Sequence, residues 1–367
     1  MKKFVVTILV ILILGAGGYL AYKYLTENNI IPETNEQDGQ TISENEDNSI
    51  VVELQKEPEK VVQIYQGTDR PIAVMIDNHR DAWPQAGLND AYIVYEIIVE
   101  GGETRLMPCF KGVNLEKIGP IRSSRHYFLD YAMENGAIYV HYGWSPQAES
   151  DIYTFKINNI NGLVESSKDF WRVKDKSAPH NAVTSTEKIL GLANKKKYST
   201  ESNVPSVLNY VVDEVTLENG KPAEKITIPY STLHTVSYEY DPETKMYTRY
   251  ARGKKQTDWG TGNAITTKNI IITKARNYTL NDSENKGRQG ISNTGTLDGY
   301  YITNGKYIPI TCTKTSRTSQ TEYKDLNGKE INVNDGRTFI QICPLDSKIV
   351  FEPEPIEPSE PSQEIEA

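Results

Sequence analysis

The net charge of −9 in this 367-residue chain sits at its two ends, and that placement limits what can fold. Residues 27–60 hold ten Asp and Glu against two Lys and no aromatic residue, and residues 351–367 hold six Glu and no base. Neither stretch has enough apolar surface to offset the entropy cost of ordering it, so both read as solvated chain. A core must come from residues 61–350, whose formal charge is +2. A body so near neutrality offers no broad basic face, so nucleic acid is not an expected partner. Its length suits two domains better than one.

The amino terminus fixes the address. Lys2 and Lys3 precede an uncharged run from Phe4 to Leu20, and the apolar stretch extends to Tyr22. Nineteen residues of helix span about 28 Å, close to the hydrocarbon thickness of a bilayer. The leading lysines should stay in the cytoplasm, giving a single-pass membrane protein with its body outside. Cleavage as a signal peptide is the alternative, since Gly15-Ala16-Gly17-Gly18 offers small residues to a peptidase. The expected organisation is an anchor or signal at 1–26 and an acidic disordered stalk at 27–60. An α/β layered domain at 61–200, a smaller mostly-β domain at 205–350 and a disordered Pro/Glu tail at 351–367 follow.

The body changes pattern half-way. In the first half, apolar runs at 71–76, 92–99, 105–110 and 137–142 read as strands. They alternate with helical patterns at 123–134, from Ser145-Pro146 onward and near 186–194, which argues for α/β layering. In the second half, runs at 236–240 and 246–250 flank a hairpin turn. Further strands at 270–273, 300–303, 307–313 and 338–342 are separated by Asn304-Gly305, Asn327-Gly328 and Asp335-Gly336. The 23 Tyr against seven Phe suit sheet surfaces, and would also suit polymer contact. Cys109, Cys312 and Cys343 are too few for a disulfide framework; Cys109 reads as packed interior, and the other two as single thiols or one pair.

Candidate chemistry gathers around Gly119-Pro120-Ile121-Arg122-Ser123-Ser124-Arg125. Ser123 or Ser124 is placed to cap the following helix, and two arginines then fall at or in its first turn. Cations there oppose the helix dipole, which a bound anion held by backbone N–H groups and arginine forks would explain. Arg105, after the glycine-rich Glu100-Gly101-Gly102 loop, and Arg172, ahead of His180 and Asn181, could join a phosphate or pyrophosphate site. Internal pairing of these arginines with Asp77, Glu100 or Glu103 is the competing reading. Asp77, Glu100, His141 and His180 are candidates for acid–base work, with Asp77 also a candidate ligand for Mg²⁺. His79, His126 and His234 carry no pattern that marks them. Ser145 reads as a helix cap rather than a nucleophile.

These residues also carry a family resemblance. Met75-Ile76-Asp77-Asn78, Val99-Glu100-Gly101-Gly102-x-Thr104-Arg105 and Ile118-Gly119-Pro120-Ile121-Arg122-Ser123-x-Arg125 resemble the YerB-like lipoprotein family of bacterial envelope proteins. So do His141-x-Gly143-x-Ser145 and Pro179-His180-Asn181, and the likeness covers roughly 65–345. It implies a distinctive amino-terminal domain, a smaller carboxy-terminal one and an extracytoplasmic address; the family's activity is uncharacterised. This chain lacks the lipidated Cys of many members, so a protein anchor would replace the lipid. A looser analogy of order only, an anchor, a strand ending in Asp, an arginine-bearing turn and a Gly-x-Ser-Pro helix start, links it to the LytR-CpsA-Psr phosphotransferases. Those use arginines and Asp-held Mg²⁺ on lipid pyrophosphates, and the analogy assigns no catalytic residue here.

Three functions follow as expectations. The first is binding of an anionic, phosphate-bearing envelope ligand, such as a cell-wall or lipid-linked glycan, through Arg122 and Arg125 with Arg105 and Arg172 assisting; Ser123, Glu100, His141, His180 and Asn181 complete the candidate set. The second is a Mg²⁺-dependent phosphotransferase or hydrolase on lipid-linked pyrophosphate. The third is a non-catalytic interaction scaffold.

Overall fold

Short runs of β-branched and aromatic residues, cut by Gly, Asn and Pro, make strands rather than helices through most of the body. The computed structural model describes residues 40–44, 50–54, 60–282 and 284–353. The chain divides into two units, Met1–Lys60 and Val61–Ala367. In the first, Gln40–Glu44 and Ile50–Leu54 pair antiparallel inside the stretch expected to be an unstructured stalk. The expected anchor at 4–22 lies outside the described residues, as does most of the acidic tail. Among the described residues no helix is long and apolar enough to cross a membrane.

The second unit is built on a main sheet and a smaller one. In chain order, the strands that carry the argument are β1 (Ile72–Val74), β2 (Ile76–Asp77), β3 (Ile93–Ile98), β4 (Thr104–Phe110), β5 (Ile138–His141) and β6 (Asn159–Asn161). They continue as β7 (Lys221–Pro222), β8 (Lys225–Pro229), β9 (Thr235–Asp241), β10 (Met246–Ala251), β11 (Asn269–Thr279), β12 (Gly295–Thr303), β13 (Lys306–Lys314), β14 (Thr338–Pro344) and β15 (Val350–Glu352). The main sheet runs β7-β13-β12-β11-β14-β3-β4-β1-β5-β6, and the smaller one contains β10-β9-β8-β15.

Three helices complete the unit among the described residues: α1 (His126–Glu134), α2 (Pro146–Thr154) and α3 (Thr186–Lys195). Each is nine or ten residues long, so the described residues are mostly β with few helices, and the expected α/β layering of the first half holds only coarsely. The expected boundary at 200–205 separates sequence segments but not sheets. β14, from the second half, pairs in parallel with β11 on one side and with β3 of the first half on the other.

That seam is buried on both faces, and the period-2 alternation of a strand sends successive side chains in opposite directions. Tyr95 turns to the helical side, where its hydroxyl donates to Glu134 Oε1 of α1 at 2.8 Å. Glu96 turns to the smaller sheet, where its carboxylate accepts from Arg249 Nη2 of β10 at 2.7 Å. Lys314 of β13 adds a second buried ion pair, donating to Glu134 Oε2 at 2.8 Å. The halves are thus joined by ladder bonds and by charges that neither half could satisfy alone.

The three cysteines are buried free thiols. Cys312 on β13 and Cys343 on β14 have β12 and β11 between them, about 14 Å at the usual strand spacing, beyond the reach of a disulfide.

Candidate functional site

Asp77 closes β2, and the chain that follows Gly119 is laid beside it. The Asp77 N–H donates to Pro120 O at 2.8 Å, and the Arg122 N–H donates to Met75 O at 2.9 Å. On its other edge the same segment pairs with 182–184: the Ile121 N–H donates to Ala182 O at 2.7 Å and the Ile118 N–H to Thr184 O at 2.8 Å. This sandwich brings His180 to Asp77 across 103 residues. It also needs Gly119, whose φ is +142° and where a Cβ would lie 3.0 Å from the carbonyl oxygen of Ala182.

The result is a pocket of about 440 Å³ where β2 and β3 end and β4 begins, in the interior of the main sheet's strand order. Its wall includes Asp77, His79, Glu100, Arg105, Arg122 and Arg125. His180 Nδ1 lies 2.7 Å from Asp77 Oδ2, so the ring N–H donates to the carboxylate. The His79 ring stacks on that of His180, with centroids 4.6 Å apart. Arg122 Nε approaches the same Asp77 oxygen at 3.1 Å, but off the angle of a hydrogen bond. Its guanidinium therefore makes an electrostatic contact and no side-chain hydrogen bond among the described residues.

The other two arginines are held differently. Arg125 grips Glu100 in a fork, Nε to Oε1 at 2.6 Å and Nη2 to Oε2 at 3.0 Å, and donates through Nη1 to Ser124 O at 2.8 Å. Arg105 is buried on β4 and donates to the carbonyl of Ser123. Burial first, then the charges of Arg125 and Arg122, push its pKa down to about 9, against the pull of Glu100 and Asp77. Burial would raise the Glu100 carboxyl, but the hydrogen bond and charge of Arg125, with Arg105 behind it, hold it below its ordinary value. The guanidiniums of Arg105, Arg122 and Arg125 thus stand with the carboxylates of Asp77 and Glu100, and Glu103, Lys286 and Arg288 also line the pocket.

Several expectations need correction. The helix starts at His126 rather than 123; Arg125 is its N-cap residue in an extended conformation, without a side-chain cap bond. Neither Ser123 nor Ser124 caps it: Ser123 Oγ donates to Tyr142 O at 3.0 Å, and Ser124 Oγ accepts from Tyr139 at 2.8 Å. The arginines therefore precede the helix, and no dipole penalty needs an anion to explain it. Arg172 and Asn181 do not reach the pocket. They bond each other, Nη1 to Oδ1 at 2.6 Å, with the guanidinium over the Tyr142 ring at 5.2 Å. His141 is buried beside the carbonyl of Gly143 and the amide of Asn159, and burial lowers its pKa. Ser145 caps α2 as expected, its Oγ accepting from the Ala148 N–H at 3.3 Å, while also lining the pocket.

Comparison with known proteins places this fold. The model of the DUF3048 N-terminal domain, a protein family of unknown function, matches residues 58–199, and that of its C-terminal domain matches 226–340. The chain belongs to the YerB-like DUF3048 family. It is 32% identical over 289 residues to "Putative lipoprotein YerB" of Bacillus subtilis (strain 168), covering 75% of this chain and 81% of that one. The crystal structure of the Bacillus subtilis YerB protein superposes with a TM-score of 0.67 at 29% identity, covering 81% of this chain and 97% of the other.

Within this YerB-like fold, the sequence had left four groups of the pocket unmarked: His79, Trp144, Lys286 and Arg288. His79 and Trp144 stand next to motif residues, Asn78 and Gly143, so adjacency was an available signal. Lys286 and Arg288 come from the loop after β11 in the second half, and nothing local distinguishes them. Arg288 is tied to Asp282 at 2.7 Å and also pairs with Glu284. His234, read as ordinary, is fully buried against Glu96, with Nε2 3.1 Å from Oε1.

Proposed function

We propose that this YerB-like chain is an extracytoplasmic envelope protein that binds a phosphate- or pyrophosphate-bearing ligand in the arginine pocket. The observation that carries the reading is Arg122: it lines the pocket, its side chain is a quarter exposed, and its buried Nε, beside Asp77, has no hydrogen-bond acceptor among the described residues. A guanidinium left so is prepared for a bidentate anion. Arg105 supplies positive charge from beneath, where low polarity strengthens it. Arg125 acts through Glu100 instead, fixing the loop that forms the pocket wall. The address follows from the YerB-like relative, named a lipoprotein, with the apolar run 4–22 taking the part of the lipid as a single-pass anchor.

Calorimetric titration with a short prenyl pyrophosphate, the matching monophosphate and inorganic pyrophosphate tests this. Arg122→Ala should weaken pyrophosphate binding at least tenfold, since a charge-assisted pair contributes about 1.5–3 kcal/mol. Unchanged affinity for all three probes would sink the reading.

A second reading, hydrolysis or transfer of a phosphoryl-linked group, is favoured by the Asp77–His180 pair. A carboxylate that orients an imidazole beside bound phosphate is the geometry of a general acid or base. Turnover of a prenyl pyrophosphate with Mg²⁺ or Mn²⁺, lost in His180→Gln, would establish it; no turnover with either ion would leave recognition alone. The scaffold reading keeps one point of support, the internal Arg125–Glu100 fork.

A further inference from the structure

The rim of the pocket carries a second grouping that the arginine chemistry does not use. His79, Asp81 and His180 each bring one donor atom to within 4.8 Å of the others. His79 is the residue ahead of the single 3₁₀ turn Arg80–Ala82, whose first acidic residue is Asp81. The turn folds Asp81 back on the ring: its N–H donates to His79 Nδ1 at 3.2 Å, and Oδ2 lies 3.5 Å from the same nitrogen. His180 comes from the distant 179–181 segment, with its ring stacked on that of His79.

We propose that His79, Asp81 and His180 bind a first-row divalent transition-metal ion, Zn²⁺ foremost, with Asp77 holding His180 in the required tautomer. Two imidazoles and one carboxylate form a donor set that suits Zn²⁺ or Fe²⁺ and leaves coordination positions open, whereas Mg²⁺ favours oxygen donors alone. Asp77 is the second observation. By accepting from His180 Nδ1 at 2.7 Å it leaves Nε2 as the nitrogen with a free lone pair, the carboxylate–histidine relay found behind metal ligands. This reassigns the role expected for Asp77, from direct Mg²⁺ ligand to orienter of a ligand.

The geometry can close on an ion. Donor atoms around tetrahedral zinc stand about 3.3 Å apart for bonds of the usual length, so the group must contract by about 1.5 Å. The Asp81 side chain is 59% exposed and free to swing inward, whereas His79, 32% exposed and stacked on His180, would bind through Nδ1 only by releasing the Asp81 N–H from it. The competing partner of Asp81 is Arg80 at 3.6 Å, an exposed contact with little hold on it. A metal here would face the pocket with its open positions.

The test is titration of the metal-free full chain with ZnCl₂ by calorimetry, in buffer without phosphate, so its outcome is independent of anion binding. One equivalent of Zn²⁺ is expected to bind, with a large excess of Mg²⁺ failing to compete. His79→Ala alters a partly buried side chain and Asp81→Ala an exposed one; both should keep the wild-type circular dichroism, and each should weaken Zn²⁺ at least tenfold. Asp77→Asn should weaken it about 10–100-fold, the usual cost of losing a carboxylate behind a metal-bound imidazole. Co²⁺ substitution gives a second readout, a visible absorption band that Asp81→Ala removes. Absence of uptake, or uptake that His79→Ala and Asp81→Ala leave unchanged, overturns the proposal.

Discussion

The contact most open to quantitative test is the ion pair between Glu96 and Arg249, which joins the main sheet to the smaller one. Both side chains are essentially fully buried. Glu96 is well satisfied, accepting from Asn78 Nδ2 at 3.0 Å, Thr104 Oγ1 at 2.8 Å and Arg249 Nη2 at 2.7 Å. Arg249 is not: its Nε and Nη1 are buried without a hydrogen-bond partner among the described residues. Arg249→Met removes the cation and strands a carboxylate in the interior, at a cost of about 3–5 kcal/mol. Glu96→Gln preserves the Thr104 and Asn78 bonds but strands the guanidinium, for a similar cost. The double variant removes both charges together with the two orphaned nitrogens but leaves the new amide N–H without an acceptor, so it should lie within about 1–3 kcal/mol of wild type. Urea unfolding of all four proteins, compared by midpoint at constant slope, gives the cycle. The coupling should be at least about 2 kcal/mol in favour of the pair. Additive losses, or an Arg249→Met cost below about 1 kcal/mol, would refute the claim that desolvated charge holds these sheets together.

Three further outcomes follow from other contacts. Burial would raise the Glu96 carboxyl, but Arg249 and the hydrogen bonds from His234 and Thr104 outweigh it and take the pKa from 4.5 down to about 2. Its contribution to stability should therefore be complete above about pH 4.5 and disappear as pH falls through 2; an acid titration monitored by tryptophan fluorescence should lose its low-pH component in Glu96→Gln. Gly119→Ala places a Cβ 3.0 Å from both Ala182 O and Val183 Cγ1 at a left-handed φ, and should lower stability by about 1–3 kcal/mol as read by urea midpoint. Ser145→Ala deletes the α2 cap and should cost about 1 kcal/mol by the same assay, leaving the proposed phosphate binding unchanged.

What was legible in the sequence was what local chemistry decides. Asn304-Gly305 marks the hairpin between β12 and β13 because both residues take positive φ there, 47° and 73°. Ser145-Pro146 marks the start of α2 because one residue supplies the cap and the other fits the first helical position. Asn135-Gly136 stops α1 for a related reason, with Gly136 at φ +59°. The start of α1 lies later than the sequence suggests because Ser123 and Ser124 have the right side chains to cap, but their hydroxyls bond Tyr142 O and Tyr139 instead. Parallel insertion of β14 between β11 and β3 had no local signature; it depends on pairings across more than 240 residues.

The same limit explains the site. Asp77, Arg122 and His180 converge because one short segment is paired on both edges, and periodicity says nothing about such pairing. Arg172 and Asn181 look equally functional in sequence, yet their hydrogen bond satisfies them in place. The loop that presents Glu100 to Arg125 shows why neither half suffices. Gly102 O accepts from Ser231 Oγ at 2.7 Å, and Glu103 pairs with Arg252, both partners coming from the second half. Lys286 and Arg288 reach the pocket from that half as well. The mostly-β half therefore supports the arginine wall; variants that loosen the Glu96–Arg249 contact should leave the proposed phosphate binding unchanged while the native state stays populated, and weaken it only by the fraction unfolded. Arg122→Lys, which keeps a cation beside Asp77, should weaken the proposed phosphate binding with little change in stability.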